Sequence, residues 1–427
     1  MVVLVMFLVL LMLLAINVPI AIALAVTTII AMVSANGTNF LIDAAIVMFD
    51  GSMNFPLIAI PLFILAGAIM NTSGISRRLI NFASALVGFV RGGLSMVNIA
   101  TSMFFAEISG SAVADVAALG SILIPAMKKK GYPGAFAAAV TSSSASLAII
   151  IPPSIPMIVY AVMSQSSVVQ LFVAGIVPGV IGGFFLMLAA YVTARRKNFP
   201  IEETFNLANV RKTAREAALA FLLPVIILGG IFGGVVTATE GAGLAVVASL
   251  VIGLVYREID FKRLYDAATE GAIQTASVML LVAASVLLGE FLTIEQLPQK
   301  IANSIIEFSN NKFVVLAILN VFLLVIGFFL HSVAAIILTV PVVMPLVNAV
   351  GIDPVHFGII VTLNLAIGQQ TPPVASVLAT ACSVAKEDIW DVTRENLIFI
   401  SVLVILLLLV TYVPAIPMTL VEYFYRS

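Results

Sequence analysis

Charge is scarce in this chain. Only 10% of its 427 residues are Asp, Glu, Lys or Arg, against about 25% in a water-soluble domain. Apolar residues make up 62%, with a mean hydropathy of +1.20. That composition excludes an ordinary soluble domain and places the chain in a bilayer. Neither sign dominates: 20 Lys and Arg stand against 21 Asp and Glu. Phosphate backbones need a clustered basic surface, so nucleic acid is excluded as a partner. The lone cysteine, Cys382, cannot form an intramolecular disulfide and gives no redox compartment. Two histidines, His331 and His356, leave no recognisable zinc or haem site. There is no P-loop, so this chain does not draw on ATP. Function has to come from the membrane segments.

A spanning helix needs roughly 20 mostly apolar residues, and irregular backbone is allowed at depth only where protein or trapped water satisfies it. The run 2–34 is too long for one helix and breaks at Asn17-Val18-Pro19, which predicts two crossings. A cleaved signal peptide is the alternative, but the run has no basic start and continues past a signal's usual length. Further runs cover 56–70, 93–127, 135–163, 171–193, 217–235, 241–256, 272–291, 313–348, 355–381 and 396–420. Two are interrupted: 93–127 at Ser109-Gly110-Ser111, and 313–348 at His331-Ser332.

Lys and Arg gather on the cytoplasmic side. They cluster at Arg77/Arg78/Arg91, Lys128–Lys130, Arg195–Lys197, Arg211/Lys212/Arg215, Arg257/Lys262/Arg263 and Lys386/Arg394. If both interrupted runs are re-entrant hairpins, all six clusters share one face, and only Lys300, Lys312 and Arg426 of the 20 basic residues fall outside it. Reading either hairpin as one straight crossing inverts everything downstream and destroys this asymmetry. The charges therefore favour hairpins, the first opening to the cytoplasm and the second outward, with both termini periplasmic.

The two halves resemble each other. Ile124-Pro125, Gly131, Pro133, Thr141 and Pro152-Pro153 are matched by Met344-Pro345, Gly351, Pro354, Thr362 and Pro372-Pro373, at offsets of 220 or 221 residues. Because the hairpins open to opposite sides, the repeat has inverted topology, the pattern of secondary transporters whose site lies near the midplane. The expected fold is an all-α polytopic membrane protein with two inverted repeats. Residues 1–194 form the first repeat, with hairpin 93–127 and broken helix 135–163; residues 217–427 form the second, with hairpin 313–348 and broken helix 355–381. The polar, basic segment 195–216 is expected as a cytoplasmic linker.

Each expected broken helix carries a polar run and a double proline: Thr141-Ser-Ser-Ser-Ala-Ser146 before Pro152-Pro153, and Gly368-Gln369-Gln370-Thr371 before Pro372-Pro373. Two prolines in succession free several carbonyls. Such carbonyls, with hydroxyls, suit a hard cation, and the hairpin tips Ser109–Ser111 and Gly327–Ser332 are placed to complete the shells. Close helix packing and a proline kink would explain either motif alone; their coincidence at equivalent positions favours ion or substrate binding. Among charges at membrane depth, Glu107 and Asp115 flank the first tip, Asp115 with a structural role, and Glu240 is interfacial. His331 has the chemistry to carry a proton, but packing is the simpler reading.

Several stretches resemble the large membrane subunit of tripartite ATP-independent periplasmic (TRAP) transporters: Leu57–Gly67, Ile108–Asp115, Ile150–Pro156, Thr237–Glu240, Gly351–Phe357 and Gly368–Pro373. The resemblance implies an elevator-type transporter with transport and scaffold domains. It also implies sodium coupling, a small membrane subunit as partner, and a periplasmic binding protein that delivers an organic acid such as a C4-dicarboxylate or sialic acid. Carried over by residue, it implies a first sodium site at Asn54, Ser109, Ser111, Ser146, Ile149 and Ile151, and a second at Gly327, His331, Ser332, Gly368, Thr371 and Val374. His331 stands where the family commonly has an acid, Ala148 where it often has glycine, and Gln369-Gln370 where it has an apolar pair. Amides read a carboxylate or hydroxyl, so Gln369 and Gln370, with Ser144 and Asn364, are the substrate candidates.

The expectation is thus a sodium-driven importer of an organic acid in a bacterial inner membrane, and not an enzyme. Two rivals stand beside it. An intramembrane serine hydrolase could draw on Ser109 or Ser111 with His331, but it leaves the duplicated proline breaks unexplained. An ion channel could use the same polar breaks.

Overall fold

A computed structural model describes residues 2–16, 18–37, 40–201 and 204–425. Among the described residues the chain is all helical, with twenty α-helices and two short 3-10 turns. Eight helical spans are long and apolar enough to cross a bilayer. The chain is therefore an all-α, multi-pass membrane protein.

The first helices, α1 (Val2–Ala15), apolar throughout, and α2 (Ile20–Asn36), largely apolar, pack on each other. Of the expected break between them, Asn17 lies outside the described residues; Pro19 stands just before α2, where no helical hydrogen bond needs its missing N–H. Next come α3 (Phe40–Ser52), a 3-10 turn over Phe55–Ile58, and α4 (Ala59–Thr72). Gly74, at φ +69°, turns the chain into α5 (Ile75–Val87), which buries Ile75, Leu79 and Ala83 on one face and exposes Arg77 on another.

The run 93–127 is two helices, α6 (Gly93–Ser109) and α7 (Ala112–Lys129). Left-handed Gly110 ends α6, and the Ser111 hydroxyl caps α7 by accepting from the Ala114 N–H. The run 135–163 is also broken. α8 (Gly134–Ala145) tightens into a 3-10 turn over Ser146–Ile149, the chain is irregular to Ser154, and α9 (Ile155–Ser164) resumes with Ser154 as its cap. The long α10 (Val168–Arg196) follows.

The second half starts with α11 (Leu207–Phe232) and α12 (Ala238–Val255). Glu240 makes a capping box at the start of α12: its carboxylate accepts from the Thr237 N–H at 2.8 Å, and the Thr237 hydroxyl accepts from the Glu240 N–H at 3.2 Å. α13 (Phe261–Ile294) has 34 residues, about 50 Å at 1.5 Å per residue, more than the roughly 30 Å of hydrocarbon. α14 (Leu297–Phe308) is amphipathic like α5. The run 313–348 divides at Leu330-His331 into α15 (Lys312–Phe329) and α16 (Ser332–Ala349). The run 355–381 divides at 369–375 into α17 (Pro354–Gly368) and α18 (Ser376–Ala385). The long α19 (Ile389–Tyr412) and α20 (Ala415–Tyr425) close the chain. Amphipathic helix, divided run, divided helix and long helix thus occur in that order twice.

Four boundaries differ from the sequence reading. The basic stretch 195–216 is largely helical, because α10 runs on to Arg196 and α11 begins at Leu207. α5 and α14 carry polar residues on one face, so neither is a long apolar run. α13 starts well before the apolar window at 272. The 396–420 run stops at Val413-Pro414, where proline ends α19.

Packing sorts the helices into two groups. α4 lies against α12 and α13, and α13 also against α2 and α3; Ala284, Leu287 and Phe291 of α13 join α1 and α2 in an apolar cluster separate from the main core. In the other group α8 packs on α6, α7, α18 and α19, while α17 packs on α15 and α19. α16 and α6 touch both groups, α16 lying against α9 on one side and α13 and α14 on the other, and α6 against α8 on one side and α4 and α5 on the other.

Candidate functional site

The break in each divided run sits against a divided helix, backbone to backbone. At the first tip, a Cβ built on Gly110 would lie 3.1 Å from the Pro153 carbonyl oxygen and 3.2 Å from the Ile155 nitrogen. At the second, a Cβ on Gly327 would lie 3.1 Å from the Gly368 Cα, and the Val374 N–H donates to the Phe328 carbonyl at 3.2 Å. A side chain at either glycine would press on the facing backbone. The Pro152–Pro153 and Pro372–Pro373 bonds are both cis.

Between the two groups of helices lies a cavity of about 840 Å³, within the range of small-molecule sites. Both hairpin tips border it, through Gly110–Ala114 on one and His331–Val333 on the other, with Ile149 and Gln369 beside them. The N-termini of α7 and α16 therefore both face this space. Unpaired helix N–H groups and the helix dipole favour a negative charge at such ends. The opposite wall is α4, α5 and α13, where Asn71, Ser76, Glu270, Gln274 and Ser277 line the cavity.

The sequence candidates are divided by this geometry. Ser111, Ile149, His331, Ser332 and Gln369 come together on the cavity. The side chain of Ser109 lies outside the described residues, as does that of Glu107. Asn54 is exposed at the start of the 3-10 turn before α4, away from the cavity lining. Ile151 is buried against Gly179 of α10. The Ile149 carbonyl accepts from the Ser154 hydroxyl at 2.7 Å, which leaves it a second lone pair. In the second set, Gly327 and Gly368 form the backbone contact, the Thr371 hydroxyl donates to the Ile367 carbonyl at 3.1 Å, and the Val374 side chain is exposed.

Polar side chains of the breaks are mostly spent on each other. Gln370 is fully buried: its Nε2 donates to the Ser146 hydroxyl at 2.8 Å, and its Oε1 accepts from the Ser143 hydroxyl at 2.8 Å and from Asn396 Nδ2 at 3.2 Å. Ser144 turns toward α6, accepting from the Ser102 hydroxyl at 2.9 Å and donating to Asn98 Oδ1 at 3.2 Å. Asn364 donates to Asn320 Oδ1 at 2.7 Å, while its own buried Oδ1 has no partner among the described residues. Of the four substrate candidates, only Gln369 reaches the cavity. Asp115 is fully buried in the first turn of α7.

The sequence reading missed the scaffold wall. Glu270, Gln274 and Ser277 recur at helical spacing on one face of α13, a signal that a window opening at 272 cuts through. Among the described residues there is no group of three or more His, Cys, Asp or Glu able to hold a metal ion. The oxygens gathered near the breaks are carbonyls, hydroxyls and amides, neutral hard donors of the kind a monovalent cation accepts.

A family model described as the DctM component of the tripartite ATP-independent periplasmic transporter matches residues 7–416. The isethionate TRAP transporter permease protein DctMQ of Oleidesulfovibrio alaskensis is 42% identical over 391 residues, 91% of this chain and 62% of that one. The chain thus spans less than two thirds of that relative. The C4-dicarboxylate TRAP transporter large permease protein DctM of Pseudomonas aeruginosa is 41% identical over 377 residues, 88% of each chain. Among solved structures, the crystal structure of the Alcanivorax borkumensis YdaH transporter covers 91% of each chain with a TM-score of 0.66 at 16% identity, a likeness of fold.

Proposed function

Because the chain belongs to the family of DctM components of tripartite ATP-independent periplasmic transporters, we propose that it is the large membrane subunit of a sodium-coupled symporter that imports an organic acid across a bacterial inner membrane. Its partners are a small membrane subunit and a periplasmic binding protein that delivers the acid. The observation that carries this reading is the cavity of about 840 Å³ bordered by both hairpin tips and closed on its far side by α4 and α13. An organic anion there meets the N-termini of α7 and α16.

The sodium ions bind where tip meets break. The first site draws on Asn54, Ser109, Ser111, Ser146, Ile149 and Ile151, the second on Gly327, His331, Ser332, Gly368, Thr371 and Val374. Neutral oxygens favour sodium over a proton, which needs titratable groups.

The two hairpins and two divided helices move as one body against the α1–α5 and α11–α14 scaffold. The ion pairs support that division. Lys128–Glu387 at 2.8 Å ties α7 to the end of α18 within the first body, Lys197–Glu395 at 2.6 Å joins α10 to α19, outside both bodies, and Arg78–Glu258 at 2.8 Å lies within the second. Among the described residues no ion pair joins one body to the other. The scaffold wall of the cavity runs on α4 and α5 from Ile64 to Ser76, next to Arg77/Arg78, and on α13 from Val278 back to Glu270, toward Lys262/Arg263. By the basic-residue rule that is the cytoplasmic end, so the cavity is oriented for release inward.

Reconstitution of the three-part system in vesicles tests the coupling. Uptake driven by an inward sodium gradient is expected; uptake that persists without sodium and follows a proton gradient would overturn it. The hydrolase reading draws only on Ser111 and His331 sharing a cavity, and Ser111→Ala losing transport with no proteolysis detectable discards it.

A further inference from the structure

We propose that the acid carried by this protein is a monoacid whose far end bears hydrogen-bond donors, hydroxyl or ammonium, and that Glu270 of the scaffold reads that end and rejects a second carboxylate. The inference rests on the organic-acid reading of the same cavity. The two walls differ in chemistry. On the hairpin side the cavity meets two helix N-termini and His331, which together suit one anionic group. On the scaffold side it meets Glu270, the only carboxylate among its described lining residues.

Glu270 is an exposed side chain on the cavity wall. Its Oε1 accepts from Gln274 Nε2, one turn on, at 3.2 Å, and among the described residues no cation pairs with it. A carboxylate with free lone pairs accepts O–H or N–H donors and repels a like charge. On the same wall, Ser76 is 7% exposed and lines the cavity, and its buried hydroxyl has no hydrogen-bond partner among the described residues. A buried hydroxyl left unpaired is costly unless a ligand satisfies it. Asn71 and Gln274 add amides that both donate and accept. This wall offers a polyol or an amine several partners; it offers a plain dicarboxylate a repulsion.

The test uses the chain together with its small membrane subunit in lipid nanodiscs, with sodium present, and reads the melting temperature against the concentration of three probes: gluconate, succinate and butyrate. Gluconate is expected to act at about one tenth the concentration of succinate. Glu270→Gln should bring those two within about threefold by removing the repulsion, and Gln274→Glu should widen the gap. Ser76→Ala should weaken gluconate and leave butyrate unchanged. Succinate acting at or below the gluconate concentration, with Glu270→Gln indifferent, overturns the inference while leaving organic-acid transport standing. No response to any probe, together with no sodium-driven accumulation in vesicles, removes the organic-acid reading itself.

Discussion

The amide of Gln370 in the second break donates to the hydroxyl of Ser146 in the first, 2.8 Å away. Residues 224 positions apart are thereby joined in the interior, and Ser143 and Asn396 complete the set. Deleting the amide strands the buried Asn396 Nδ2, while the Ser143 and Ser146 hydroxyls keep their bonds to Asn396 Oδ1 and the Ser143 carbonyl, at about 1–3 kcal/mol for the group stranded. Gln370→Ala should therefore lower the melting temperature by several degrees. Gln369 has weaker contacts, to the Leu365 carbonyl at 3.3 Å and the Ser376 hydroxyl at 3.4 Å, and faces the cavity. Gln369→Ala should leave the melting temperature nearly unchanged and slow transport. Equal melting behaviour of the two variants would sink the distinction.

That distinction marks the limit of sequence reasoning here. The interruptions at Gly110, at Leu330-His331 and at the two double prolines were legible because breaks in apolar runs show in one dimension. The partner of Gln370 was not, since adjacent glutamines share a composition, both are buried, and only packing separates the one bonded across the breaks from the one on the cavity. α5 and α14 escaped because an amphipathic helix has no long apolar run. Glu270 escaped because it precedes the apolar core of α13.

The contact between Gly327 and Gly368 gives a second prediction. A methyl built on Gly368 lies 2.6 Å from the Gly327 Cα and C atoms, backbone that has no rotamer to swing aside. Forcing it in costs about 1–3 kcal/mol and separates the second tip from its break. Gly368→Ala is expected to raise the sodium concentration for half-maximal transport several-fold. Gly229→Ala is the control, since a Cβ there has nothing within 4 Å; it should leave sodium dependence alone. An unchanged sodium dependence in Gly368→Ala would falsify the assignment of that contact to a sodium site.

Ser154 holds the first break by two bonds, donating to the Ile149 carbonyl at 2.7 Å and capping α9 by accepting from the Met157 N–H at 3.5 Å. Ser154→Ala should cost about 1 kcal/mol through the lost cap, seen as a lower melting temperature. Because the Ile149 carbonyl then loses its restraint, sodium should also bind more weakly. Ser154→Thr keeps both bonds and is expected to retain sodium dependence close to that of the unsubstituted protein. Loss of sodium affinity in both variants would point to crowding rather than to the hydroxyl.

The hairpins make the sharpest prediction about topology. A straight crossing in place of the first would put Arg77 and Arg211 on opposite faces of the membrane; a straight crossing in place of the second would do the same to Lys262 and Arg394. All four residues are exposed, so a cysteine at each is open to reagents. Cys382, 7% exposed, is replaced by alanine in the background to leave no competing thiol. Arg77→Cys, Arg211→Cys, Lys262→Cys and Arg394→Cys should all resist a membrane-impermeant maleimide in intact cells and all react after lysis, whereas Lys300→Cys should react in intact cells. Labelling that splits the first pair removes the first re-entrant hairpin, and labelling that splits the second pair removes the second. Either result would also dissolve the six-cluster charge asymmetry, because basic residues would then face both sides of the bilayer against the bias that orients membrane proteins.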